Sequence, residues 1–184
     1  MFPTGLTRFA SHLGAIGILA LLPLGAAAQQ AGSLPGHEVR IELGVRIPMR
    51  DGVKLAANLF RPDTPGKFPV ILLRTPYGKS TPRYFSEGRW FAERGYIYVV
   101  EDCRGRHDSE GVFRPNIDDF HDGYDTIEWS AMQPWSSGDV GTLGGSYLGE
   151  NQWRAATQRP PHLKTMIPLV SPPDPFFKDR KSVV

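Results

Sequence analysis

The chain has 184 residues, 40% of them hydrophobic and 22% charged, with a formal net charge of +2. Those values suit a soluble globular domain and exclude a disordered, collagen-like or fibrous chain. No run of Lys and Arg interleaved with aromatics occurs, so no nucleic-acid partner is expected. The single cysteine, Cys103, leaves no internal disulfide.

Residues 1–28 read as a signal peptide. Arg8 supplies the positive charge, Leu13 to Leu24 is apolar, and Ala26-Ala27-Ala28 is a small-residue cleavage site. The apolar run is too short for a comfortable membrane span, so a secreted or periplasmic protein without stable membrane association is expected. Residues 29–178 are then the folded domain, opening on the polar lead-in Gln29–Gly36. Val39–Pro48 and Lys54–Arg61 read as strands around the turn Arg50-Asp51-Gly52, an Asp-Gly hairpin signal that suits positive φ at both central residues. Pro69–Arg74 is a continuous apolar run, as in a strand buried on both faces. Pro82–Arg94 reads as a helix closed by Gly95, and Tyr96–Val100 as a second buried strand running into Glu101 and Asp102. Cys103–Pro115 is a loop rich in Gly and charge. Asp118–Gln133 is expected to be a helix, with Phe120, Tyr124, Ile127 and Ala131 on one face. Val140–Leu143 is a short strand, Tyr147–Gln158 a helix, and Lys164–Val170 a further strand before the Pro-rich Ser171–Phe177. A hairpin followed by strands alternating with helices predicts an α/β fold with a mostly parallel sheet.

The informative segment is Gly144-Gly145-Ser146-Tyr147-Leu148-Gly149, a serine at the join of strand and helix. A sharp turn there lifts the hydroxyl clear of the sheet and aims the following N–H and the helix N-terminus at a developing oxyanion. The bland alternative is a Gly-rich turn with Ser146 as N-cap. Leu148 stands where the usual G-x-S-x-G pattern has its second glycine, which comes one residue later at Gly149.

Other motifs accompany this one: Asp122-Gly-Tyr-Asp-Thr-Ile-Glu-Trp129, Gln133-Pro-Trp135 and Arg74-Thr-Pro-Tyr77. To these add Ile47-Pro-Met-Arg-Asp-Gly-Val-Lys-Leu55 and Arg104-Gly-Arg-His-Asp-Ser-Glu-Gly111. Together, from about Val39 to Phe177, they resemble the cocaine esterase and X-prolyl dipeptidyl peptidase family of α/β hydrolases. The resemblance implies an α/β-hydrolase fold, here carrying about six strands, and acyl transfer on esters, amides or X-Pro peptides without cofactor or metal. It implies Ser146 as nucleophile, the Tyr147 backbone N–H as one oxyanion donor and the Tyr77 hydroxyl as the other. Read without it, Tyr77 is a strand-end aromatic with its hydroxyl in water.

The acid and base should follow the serine in the order Asp or Glu, then His. His162 comes too soon and reads as a surface loop residue. Asp174 reads as a turn residue among prolines, and His37, His107 and His121 precede the elbow. Cys103, His107 and Asp108 lack a second ligand pair and read as a solvated loop rather than a metal site. Residues 179–184 look like a translated sequencing adapter, so the native chain is expected to continue past Lys178 with its acid and base. The alternative is a non-catalytic hydrolase-like binding module with Ser146 vestigial.

Overall fold

Strand segments that are apolar without alternation have to be covered on both sides, and this sequence has two in its first hundred residues, Pro69–Arg74 and Tyr96–Val100. A computed structural model describes residues 34–171. The expected signal peptide at 1–28, Asp174 and the tail at 179–184 lie outside them. Among the described residues six strands form one sheet, in the order β1-β2-β4-β3-β5-β6. The strands are β1 (Val39–Pro48), β2 (Lys54–Pro62), β3 (Phe68–Thr75), β4 (Ile97–Asp102), β5 (Ser136–Gly145) and β6 (Leu163–Leu169). The helices are α1 (Pro82–Ala92), α2 (Asp119–Ala131) and α3 (Tyr147–Thr157).

β2 pairs antiparallel with β1 and with β4, whereas β4, β3, β5 and β6 run parallel. This is the α/β-hydrolase arrangement that the motifs implied, with six of its strands among the described residues. The β1–β2 turn differs from expectation. Only Gly52 has positive φ (87°), and its N–H bonds the Met49 carbonyl at 2.9 Å. A turn followed by one left-handed glycine needs no positive φ at Asp51. β2 is also deeper than a hairpin strand usually is: Leu55 through Phe60 are all buried, because β4 makes it an interior strand and both sheet faces are covered there.

One face of the sheet buries Ile47, Leu59, Val70, Leu72 and Val99 against Ile127 and Ala131 of α2 and Ala155 of α3. The other buries Phe60, Leu73, Tyr98 and Val100 against Tyr84 and Ala92 of α1. At about 25 cal/mol per Å² of buried apolar surface, these two layers are the main force holding the sheet. Among the described residues no helix is long and apolar enough to cross a membrane.

Candidate active site

The parallel strands deliver their C-terminal ends to one edge, where open α/β sheets bind ligands. β5 ends at Gly145, α3 begins at Tyr147, and Ser146 is the whole of the connection. Its backbone sits at φ 57°, ψ −125°, a region costly for any residue with a Cβ. The bend is imposed from both sides: the Ser146 N–H bonds the Leu169 carbonyl of β6 at 2.9 Å, while its own carbonyl accepts from the N–H groups of Gly149 and Glu150. The side chain is exposed and makes no capping hydrogen bond. Ser146 therefore occupies the N-cap position without doing a cap's work.

The displaced glycine of the motif has a steric reason. A Cβ on Gly144 would stand 2.5 Å from the Leu148 Cβ, so it is Leu148 that crowds the strand. A Cβ on Gly149 would stand 2.5 Å from the Ser171 Cβ. The second close approach thus falls at Gly149, while Leu148 is buried beneath the elbow.

Ser146 opens into a cleft of about 480 Å³ whose lining includes Tyr77. Leu73, Tyr84, Leu143 and Leu148 supply apolar walls, and the Arg83–Glu87 ion pair of α1 lies at its margin. Tyr77 is 60% exposed on the loop that follows β3. That loop is fastened on several sides. The Tyr77 N–H bonds Thr75 Oγ1 at 3.1 Å, and the Lys79 N–H and Nζ bond the two oxygens of Asp102 at 2.7 and 3.0 Å. Lys79 Nζ also pairs with Asp108, and Arg106 Nε donates to the Pro76 carbonyl at 3.0 Å. Tyr147 opens α3, where backbone N–H groups have no partner within the helix. Its half-buried phenol donates to Asp119 Oδ2 at 2.5 Å. Of the sequence-derived trio, Ser146 and Tyr77 line one cleft, while Tyr147 follows Ser146 in the chain and turns its side chain to Asp119.

The histidines do not join it. His162 pairs with Glu128 at 2.7 Å and adjoins Val140, halfway along β5 from the elbow. From Val140 to Gly145 the strand spans ~17 Å at ~3.3 Å per residue. His121 contacts Arg50, His37 packs edge-on against Phe68, and the His107 ring lies against Gly78. Cys103 is buried and free, and burial pushes its thiol pKa up. No group of three or more His, Cys, Asp or Glu able to hold a metal occurs among the described residues.

Two expectations need correction. The loop after β4 is not simply solvated: Cys103, Arg104 and Ser109 are buried, and Ser109 Oγ bridges the Ala56 N–H and the Asp102 carbonyl. The buried face of α2 is not the apolar stripe. Phe120 and Tyr124 are only half-buried, and Asp119, Asp122, Gly123 and Thr126 face inward with Ile127 and Ala131. Inside lies an ionic cluster that sequence reading missed. Arg74 pairs with Glu101 at 2.7 Å and Asp119 at 3.2 Å, and Arg104 pairs with Asp122 and Asp51. Thr126 Oγ1 donates to Glu101 at 2.7 Å. Burial pushes the Glu101 carboxyl up to about 7, against the pull of Arg74. The available signal was charge at the ends of buried strands, Arg74 after β3's apolar run and Glu101-Asp102 after β4's. A charge so placed must find a partner inside.

Residues 51–179 match the family described as X-Pro dipeptidyl-peptidase (S15 family). Over 134 residues the chain is 44% identical to the cocaine esterase of Rhodococcus sp. (strain MB1 Bresler), covering 71% of this chain and 23% of that protein. Among solved structures it is similar to a CocE/NonD family hydrolase from Staphylococcus aureus, with TM-score 0.64 and 35% identity over 70% of this chain and 27% of that one. It is also similar to an α-amino acid ester hydrolase, with TM-score 0.63 and 29% identity over 83% of this chain and 29% of that one. The chain spans about a quarter of the length of these relatives.

Proposed function

This chain belongs to the X-Pro dipeptidyl-peptidase (S15) family, and on that premise we propose that it is the nucleophile-bearing part of a serine hydrolase acting on esters, amides or X-Pro peptides. Ser146 Oγ attacks the substrate carbonyl and gives its proton to a general base. The Tyr77 hydroxyl and the Tyr147 N–H stabilise the oxyanion. Collapse expels the alcohol or amine to leave an acyl-enzyme, which water then hydrolyses. The base and its orienting acid are assigned to sequence past Lys178, since the described histidines lie away from the elbow or precede it in the chain.

The observation that carries this reading is the strained, exposed Ser146, with no structural duty for its hydroxyl, in a cleft shared with Tyr77. Strain of this kind persists where function needs it. A fluorophosphonate probe tests it, because only an activated serine reacts quickly. The full-length protein is expected to label rapidly, Ser146→Ala to lose labelling, and Tyr77→Phe to slow it by ~100-fold. The 184-residue chain alone is expected to label little. Undiminished labelling of Ser146→Ala would place the nucleophile elsewhere, and a non-catalytic module would label at neither length.

A further inference from the structure

An aspartate in the first turn of a helix ordinarily sits in water and complements the positive end of the helix dipole. Asp119, the first residue of α2, is instead 4% exposed, and both of its carboxylate oxygens are engaged by other elements. Oδ2 accepts from the Tyr147 hydroxyl at 2.5 Å and from the Asn116 N–H at 3.3 Å. Oδ1 accepts from Arg74 Nη1 at 3.2 Å, and the Asp119 carbonyl lies 3.4 Å from the same nitrogen. Arg74 stands at the end of β3, three residues before Tyr77. Its own carbonyl accepts from Asn151 Nδ2 of α3 at 2.9 Å.

Two elements therefore meet at one buried carboxylate: the strand end that leads to Tyr77 and the helix start that carries the Tyr147 N–H. Charge-assisted bonds in a low-dielectric interior are short and strongly directional, so they fix geometry better than exposed ones. Burial and the neighbouring Asp119 both push the Tyr147 phenol pKa up, so it remains a donor. A second tie runs beside the first: Arg106, bonded to the Pro76 carbonyl, lies over the Phe113 ring, which packs against Tyr147.

We propose that Asp119 is a positioning residue that sets the Tyr147 end of the oxyanion site relative to the Tyr77 end, acting through the Tyr147 phenol and Arg74. The inference rests on the acyl-transfer reading above. It concerns side chains that touch no substrate and act through a backbone N–H.

The test measures kcat and KM of the full-length hydrolase on p-nitrophenyl acetate, with thermal melts of each variant. Asp119→Asn is expected to lower kcat by ~10-fold with KM within ~2-fold, since misplacing a catalytic group costs rate rather than ground-state affinity. Tyr147→Phe keeps the backbone N–H but lacks the phenol, and is expected to lose the same ~10-fold. In the Tyr147→Phe background, Asp119→Asn should change kcat by less than ~2-fold while still lowering the melting temperature, because Arg74 loses one of its buried carboxylate partners in both backgrounds. An equal kcat loss in both backgrounds would mean general structural damage and overturn the proposal. So would an unchanged kcat in either single variant, and should Asp119→Asn not fold, Tyr147→Phe alone decides. Activity surviving in Ser146→Ala would instead sink the underlying reading.

Discussion

Ser146 carries the most specific physical statement in the chain: a residue with a Cβ held at φ 57° between strand and helix. Conformations of this kind cost on the order of 1–3 kcal/mol, and glycine adopts them freely. Ser146→Gly is therefore expected to abolish hydrolysis while raising stability by about 1 kcal/mol, read as a higher urea midpoint at unchanged m-value. Equal or lower stability would show that the backbone there is not strained. At this scale the sequence was informative wherever sterics left one solution. Gly144 and Gly149 are where a Cβ would collide, so they announced the elbow and even its displaced spacing. Tyr77 was legible only through the motif around it, since an exposed phenol on a loop has no signature of its own.

The helix α2 shows where pattern reading loses its grip. A stripe of Phe120, Tyr124, Ile127 and Ala131 follows from helical spacing, yet the inward face is rotated toward Asp119, Asp122 and Gly123. Gly123 allows the close crossing, since a Cβ there would meet the Ala155 Cβ at 2.5 Å. The two aromatics instead take arginine guanidinium groups, Arg154 over Phe120 and Arg50 over Tyr124. Periodicity scores side chains by polarity alone, and it cannot foresee that Arg74 and Arg104 wait inside to neutralise the aspartates. The same cluster gives a pH signature. The folded-state pKa of Glu101 is raised from 4.5 to about 7, so between those values the folded state holds a proton that the unfolded chain releases. Stability should fall as pH rises through that window. Glu101→Gln lacks this dependence. The difference in urea midpoint, variant minus wild type, is expected to increase from pH 5 to pH 7.5, and parallel profiles would contradict the raised value.

The sheet is closed on one side by β1 and, among the described residues, ends on the other at β6. β6 shows Ile167 at 46% and Leu169 at 52% exposure, on a strand whose outer edge has no partner there. An apolar strand with free N–H and C=O groups invites another strand. The isolated 184-residue chain is expected to self-associate with rising concentration in light scattering, and Ile167→Lys to reduce this. A concentration-independent monomer with a cooperative melt would refute it. By itself the sequence determined the order and kind of every element from β1 to β6, the mixed sheet and the elbow at Ser146, because apolar runs, helical spacing and glycine sterics are local constraints. Only the tertiary structure decided that Asp119 meets Tyr147 and Arg74, that Asp102 holds Lys79, and that His162 lies beside Val140 rather than at the Ser146 end of β5. Those facts depend on which distant segments meet, and the pairing of a buried charge leaves no trace in its neighbours along the chain.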